Sequence, residues 1–457
     1  LLDRPRIGAA AASFAPALPR LEIRALLTLA VPIIAGKLAM VGQNTVDVLL
    51  AGHLSARVLG AVAMGATVWG MGQMGLTGLM MVVSPFVAQF AGAGKRADIG
   101  PFFVQSIWLG LAGGALLLVA VRWGGPALVD VMGVAPELRA DVAAFLGAVS
   151  LAGPAFGVLL ACMGLSEGLS LPRISMAFGI AGLLLLAPIG YALMYGRFGL
   201  PALGAAGSGY ANALVVWCQA LVFLTLIVRS RRFGRLGWEH APLGPSRGVL
   251  LAQIRLGLPI AASQLLETGL FTTAGLLIGG FGTVAAAGHL LALNVGALTF
   301  MVPLGIAFAT TVRVGLAAGR GDRGAARRSG FAGIGLAAST QSVCALVLLL
   351  LPSHIAALYT NDPAVIARAT LLLRLAGIFQ LSDGVQVAAI AALRGLKDTR
   401  VPVALTAVAY WGVGLPVALV CAYPLGLETP GIWCGLIGGL TTAAVLLTLR
   451  FRRVSLR

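Results

Sequence analysis

The chain has 457 residues, of which 59% are hydrophobic and only 10% charged, and it carries a formal net charge of +17 with a mean hydropathy of +0.97. A soluble fold of this size needs roughly 25% charged residues to cover its surface, so composition excludes a water-soluble enzyme. The basic residues fall in short segments between apolar runs, so the charge reflects membrane topology and no nucleic-acid partner is expected.

A bilayer core about 30 Å thick takes roughly 20 apolar residues per helix. In chain order the apolar runs predict spans over residues 25–50, 59–83, 102–121, 142–163, 174–195 and 204–228. They continue over 252–279, 285–311, 330–351, 366–392, 401–423 and 430–449. A β-barrel would alternate apolar with polar residues, and these runs do not. The 62 glycines suit helices packed closely in lipid. Five cysteines (Cys162, Cys218, Cys344, Cys421, Cys434) lie within or at the ends of apolar runs, without metal spacing or a disulfide framework, and read as small packing residues. Residues 1–20 lack an apolar core followed by a small-residue cleavage site, so no signal peptide is expected there.

The connecting segments test the span count. Alternate segments, counted from the N-terminus, collect Arg4, Arg6, Arg20 and Arg24, then Lys95 and Arg96, then Arg173. The same side continues with Arg229, Arg231, Arg232, Arg235, Arg247 and Arg255, then Arg313, Arg320, Arg323, Arg327 and Arg328. It ends with Arg394, Lys397, Arg400 and a tail of Arg450, Arg452, Arg453 and Arg457. The other side receives Arg57, Arg122, Arg139 and Arg197. Basic loops stay in the cytoplasm, so both termini are expected there and the span number is even.

The chain also repeats. At an offset of 227 residues Pro32 falls on Pro259, Gly42 on Gly269, Gly52 on Gly279 and Pro136 on Pro363. Gly168 falls on Gly395, Arg173 on Arg400, and Gly199, Leu200 and Gly204 on Gly426, Leu427 and Gly431. Six spans per repeat give both halves one orientation, related by an axis along the membrane normal, which is a transporter design. The expected fold is therefore all-α and polytopic, with twelve transmembrane helices in two six-helix bundles. Residues 1–24 form a cytoplasmic segment, 25–228 the first bundle, 229–251 a cytoplasmic linker, 252–450 the second bundle and 451–457 a cytoplasmic tail.

Three acids lie inside apolar runs: Asp47, Glu267 and Asp383. A charge at mid-bilayer costs roughly 2.5–3.5 kcal/mol, so such a residue faces a cavity or a partner and is a functional candidate. Each has polar company at helical spacing: Gln43 and Asn44 before Asp47, Ser263 and Gln264 before Glu267, and Gln380 and Gln386 flanking Asp383. Interhelical hydrogen bonding is the structural alternative. Two carboxylates facing one partly dry cavity lose hydration and repel each other, so they can take up H⁺ or share Na⁺. A cationic substrate would then displace the ion, which is the chemistry of an antiporter. Lys37 lies about 15 Å along an ideal helix from Asp47, too far to pair, and on a face near Asn44. It either snorkels, pairs across helices or lines the cavity. His53 and His289 stand near span ends, where backbone or interfacial water would satisfy them. Met64, Met71, Met74, Met80 and Met81 cluster in the second span, as core packing or as a pliable surface for varied substrates. There is no nucleophile elbow, zinc-protease pair, Walker A or nucleotide fingerprint, so no enzyme and no resident cofactor is expected.

The stretches PIIAGKLAMVGQNTVDVLLAGHLS (32–55), LPIAASQLLETGLF (258–271), HLLALNVGALTFMVPLGIAFATTVRVG (289–315) and FQLSDGVQVAAIAALRGLKDTR (379–400) resemble the first, seventh, eighth and tenth spans of multidrug and toxic compound extrusion (MATE) transporters, of the NorM-like branch. The resemblance covers essentially the whole chain. It implies two bundles around a V-shaped cavity and Na⁺- or H⁺-coupled export of small cationic amphipathic compounds. It also implies a monomer in the bacterial cytoplasmic (inner) membrane. The implied coupling-ion site is Glu267 and Asp383, with Na⁺ held there if sodium is the ion. Phe379 stands as its aromatic neighbour, and Asp47 is the acid of the other bundle. The implied substrate cavity carries Gln43, Asn44 and Lys37 on one side. Gln264, Asn294, Phe300 and Gln386 stand on the other. The chain departs from the family at Leu290, Lys37, Leu186, Gly190 and Met163, the last standing where many members have Arg. A flippase for a lipid-linked precursor would need a basic cavity, for which Lys37 and Arg374 are the candidates. A membrane-embedded enzyme would need ligands or a nucleophile–base pair.

Overall fold

The computed structural model describes residues 19–456 except 132, 134, 235 and 243, with side chains from residue 21 onward. Residues 1–18 with Arg4 and Arg6, the Arg20 side chain, Arg235 and Arg457 lie outside the described residues. Among the described residues, twelve helices are long and apolar enough to cross a membrane. They are α1 (Leu21–Leu54), α2 (Ala56–Gly92), α3 (Arg96–Val131), α4 (Pro136–Gly168), α5 (Pro172–Tyr195) and α6 (Gly204–Arg229). The second set is α7 (Arg247–Gly279), α8 (Thr283–Gly319), α9 (Arg323–Leu350), α10 (Pro363–Gly395), α11 (Arg400–Ala422) and α12 (Glu428–Val454).

Every predicted span is present. Several helices overrun their apolar stretch because capping and proline chemistry, and not hydropathy, set where they end. Ser55 caps α2 by accepting from the Val58 N–H at 3.1 Å, and Asp322 caps α9 by accepting from Ala325 at 2.8 Å. Asp362 and Pro363 start α10 in the same way, the proline standing where no N–H is needed. Helix α7 begins at Arg247, inside the segment expected as linker.

Two large apolar clusters form, one within each set of six helices. The repeat seen in the sequence is a repeat of backbone. Left-handed residues recur at the same offset: Gly94 with Gly321, Ser170 with Lys397, and Gly199 with Gly426. The seam between the bundles obeys the same relation. Gly78 of α2 lies against Ala261 of α7, and Gly305 of α8 against Ile34 of α1. Gly92 lies against the Leu316 carbonyl, and Gly319 against the Gln89 carbonyl. Any Cβ at these glycines would collide with the facing element, so the close approach requires glycine.

The bundles exchange helix ends. Leu26, Leu29 and Ala30 of α1 belong to the apolar core of the second bundle. Glu22 there makes a bidentate ion pair with Arg313 of α8, at 3.0 and 2.6 Å, and accepts from Ser329 of α9 at 2.5 Å. Reciprocally, Val249, Leu250 and Leu256 of α7 pack on the first core, and Gln253 donates to Ser106 of α3 at 3.1 Å.

All these contacts lie toward the face that carries the basic loops. Gln89 also donates to the Gly395 carbonyl at 2.8 Å, and the Lys397 ammonium sits 3.7 Å from the centre of the Phe86 ring across the seam. Burial there lowers the Lys397 pKa to about 8. Toward the opposite face the helix surfaces that continue this seam are exposed: Asn44 on α1, Met64 and Met71 on α2, Leu265 on α7, Asn294 and Leu298 on α8. The molecule is thus a two-lobed bundle closed at the basic face and cleft at the other.

Candidate functional site

Two polar centres lie within the helices, one per bundle. In the first, Asp47 of α1 is buried, and both carboxylate oxygens are held from α6. Ser208 Oγ donates to Oδ1 at 2.9 Å and Asn212 Nδ2 donates to Oδ2 at 2.7 Å. Sequence reading missed this pair, though serine and asparagine four apart in an apolar helix form one polar face. Gln43 donates to the Gly179 carbonyl of α5 at 3.4 Å. Asp47→Asn removes the charge that strengthens both bonds and keeps both partners only if the Ser208 hydroxyl turns from donor to acceptor, because Asn212 Nδ2 can only donate. A loss of about 1–3 kcal/mol is expected, read as a lower thermal midpoint in detergent. An unchanged midpoint would show that the donors re-pair elsewhere.

The second centre lies among α7, α8, α10, α11 and α12. Gln386 of α10 donates from Nε2 to Glu267 Oε1 of α7 at 3.3 Å, and Asp383 lies one turn before it on α10, buried, with Glu267 near enough to act on its charge. The two acids predicted as a pair therefore stand together. Phe379 is buried beneath them, edge-on to Phe271 (5.8 Å) and to Trp433 (5.9 Å). Gln380, on the same turn, donates to Thr299 of α8 and accepts from Gln341 of α9. Tyr410 of α11 is buried, and its hydroxyl finds no hydrogen-bond partner among the described residues; neither does Oε1 of Gln386. Two buried acids thus stand among buried oxygens that have no hydrogen-bond partner among the described residues, an arrangement that calls for an explanation. At the repeat offset Met40 and Phe156 stand opposite Glu267 and Asp383, so this centre has no twin.

The other predicted residues are spread along the cleft. Asn44 and Asn294 are exposed on its two sides, Asn294 donating to the Leu290 carbonyl of its own helix at 2.9 Å. Gln264 and Phe300 are partly buried, and Phe300 packs beside Val387 and Ala391. Met64, Met71 and Met74 are exposed on the cleft face of α2, where Thr268 of α7 donates to Met74 Sδ at 2.9 Å, whereas Met80 is in the core.

Three expectations are corrected, and of the alternatives open for Lys37 it reaches across helices, beside a small pocket that it lines with Met163, Glu167 and Met176. Its ammonium lies 4.8 Å from the centre of the Phe308 ring across the seam, within electrostatic reach of Glu167 on α4. Glu167 and Glu22 are buried within spanning helices too, so Asp47, Glu267 and Asp383 are not the only such acids. His289 is not an interfacial residue: it is buried, and its Nδ1 accepts from Trp433 Nε1 at 3.2 Å. Arg374 is exposed on α10, nine residues before Asp383 and so on the opposite side of the helix from it.

The MatE family model matches the chain twice, over residues 32–192 and 259–420. The chain is 43% identical over 439 residues to a protein of Xanthomonas campestris pv. campestris named "Probable multidrug resistance protein NorM", covering 95% of each. It is 40% identical over 466 residues to "Multidrug resistance protein PmpM" of Pseudomonas aeruginosa, covering 97% of this chain and 95% of that one. Among solved structures it superposes with a TM-score of 0.85 on a MATE family multidrug resistance transporter described in an outward-facing conformation. There the identity is 20%, over 95% of this chain and 96% of that one. It superposes at 0.83 on the eukaryotic MATE transporter AtDTX14, at 18% identity over 96% and 98%.

Proposed function

The chain belongs to the MatE family of membrane transporters, and on that footing we propose that it exports small cationic amphipathic compounds in exchange for Na⁺ or H⁺. The observation that carries this reading is the centre at Glu267 and Asp383. Two acids from distant helices meet where α7 and α10 face each other, and no basic side chain bonds to either among the described residues. Arg394 acts on Glu267 only at a distance, without an ion pair. A site of that kind has a use for a mobile cation.

The basic face is the cytoplasmic one, with both termini on it, in the inner membrane of a bacterium. The cleft then opens outward, which is the state that receives the coupling ion and lets substrate leave. The exposed methionines of α2 give the cleft a pliable, polarizable wall for varied apolar bodies. Asn44 and Asn294 give it polar points on either side. The protein works as a monomer. The relatives' names, both of multidrug resistance proteins, support export of several compounds and not of one.

The test is transport into proteoliposomes of a permanent lipophilic cation such as tetraphenylphosphonium, with Na⁺ and pH gradients imposed separately. Flux should follow one gradient or both, and should reverse when the gradient is reversed. Flux indifferent to both gradients would overturn the coupling.

A further inference from the structure

Lys37 stands between two partners on opposite sides of the seam. It belongs to α1, and a helical side chain leans toward the start of its own helix, here toward the basic face. One partner lies in the other bundle: the ammonium is 4.8 Å from the centre of the Phe308 ring of α8, which is buried. The second lies in its own bundle. Lys37 and Glu167 of α4 line one small pocket, together with Met40, Met163 and Ser175. Glu167 is 6% exposed, yet no ion pair joins it to Lys37 among the described residues. The Ser175 hydroxyl is buried without a hydrogen-bond partner there. A buried carboxylate with no cation bonded to it costs free energy, and the flexible four-carbon stem of a lysine can carry its ammonium either way.

The two contacts have different fates when the bundles move. Lys37, Glu167 and Ser175 all belong to the first bundle and travel together. Phe308 belongs to the second and lies across the glycine seam, about one turn beyond Gly305, which packs on Ile34 of α1. Parting of the basic face takes the ring away and leaves the ammonium beside the carboxylate. The second half carries no copy of this arrangement. At the repeat offset Gln264, Arg394 and Met81 stand opposite Lys37, Glu167 and Phe308.

We propose that Lys37 is a positioning residue of the transport cycle, a two-way latch that holds Phe308 while the basic face is closed and pairs with Glu167 when that face opens. The closed state has a ring contact and an unpaired carboxylate. The open state has an ion pair in their place, which offsets part of what the seam loses on parting. The cation therefore has a partner within the helices at both ends of the motion. The latch requires only that the seam part, whatever ion or substrate drives it, so it is independent of coupling at Glu267 and Asp383.

The test reads how often the seam opens. Ala88 of α2 is buried against Gly315 of α8, so a cysteine placed there meets a water-soluble maleimide only when the basic face parts. With the five native cysteines replaced by serine, the labelling rate of Ala88→Cys in detergent measures the open fraction. Phe308→Leu removes the closed-state partner and should raise the rate roughly fivefold. Glu167→Gln removes the open-state partner and relieves the closed state of its bare carboxylate, so the rate should fall about tenfold or more. Beside Lys37→Met, which keeps the stem and removes the charge, Glu167→Gln should have no effect and Phe308→Leu a smaller one. Rates that move the same way in the two single variants overturn the latch. So does a Glu167→Gln decrease that persists without the ammonium, or an Ala88→Cys that is never labelled, because the seam then does not part. Flux indifferent to both gradients would overturn the coupling reading alone and leave these rates to decide on Lys37.

Discussion

Glu267→Gln and Asp383→Asn, each alone, are expected to bring gradient-driven export down to the level of empty vesicles while leaving the protein folded. Each change is isosteric and removes one ionisable group from a pair that meets across α7 and α10. A single remaining carboxylate with an amide beside it can still bind a cation. It no longer has the mutual repulsion that lets the pair hold one cation firmly in one state and surrender it to a cationic substrate in the other. The expectation for stability runs the opposite way. Removing a charge from an apolar interior relieves desolvation, and such replacements are often neutral or stabilising. Both variants should therefore unfold at or above the parental temperature. That separates lost coupling from lost folding, and thermal unfolding in detergent beside vesicle flux measures both. Near-normal flux in both variants would sink the assignment.

Glu22→Ala is expected to give the largest loss of stability. Its carboxylate is 10% exposed, takes two hydrogen bonds from Arg313 and one from Ser329, and lies where α1 enters the second bundle. Deleting one member of such a pair leaves a buried guanidinium without its counter-charge, at a cost of about 3–5 kcal/mol. Arg313→Met alone should cost a similar amount. The double replacement, Glu22→Ala with Arg313→Met, leaves no unpaired charge and should recover much of the summed loss. The check is the thermal midpoint of the purified protein. If the double variant falls as far as the sum of the single ones, the pair is not coupled as its geometry requires.

Spans and repeat were legible because a bilayer imposes a length and a side, and duplication leaves the same landmarks in both halves. Asp47, Glu267 and Asp383 were legible for the same reason, since lipid makes an acid conspicuous. What escaped depends on contacts between distant segments. Glu22 reads as an ordinary first-turn acid and is buried only because α1 begins inside the other bundle. Glu167 reads as a loop residue, and its cationic neighbour comes from α1. Lys37 has its aromatic partner, Phe308, in the other half of the chain, on α8. Ser208 and Asn212 carried a usable signal in their spacing. Tyr410 carried none, because its direction is set by a π turn that no residue pattern announces.

The glycine seam at the basic face has an energetic meaning of its own. Where it joins, main chain lies on main chain: Gly92 on the Leu316 carbonyl, Gly319 on the Gln89 carbonyl, Gly78 on Ala261. Freezing a long side chain costs up to about 2 kcal/mol of rotamer freedom, and a glycine has no side chain to freeze. A joint built this way neither orders much when it shuts nor frees much when it parts. At the glycines it behaves like two smooth plates, and the interlocking is left to a few side chains beside them, Glu22 with Arg313, Gln89 with the Gly395 carbonyl and Lys397 on Phe86. The two arrangements of such a joint can lie close in free energy, so the modest difference in affinity that one bound cation supplies is enough to exchange their populations.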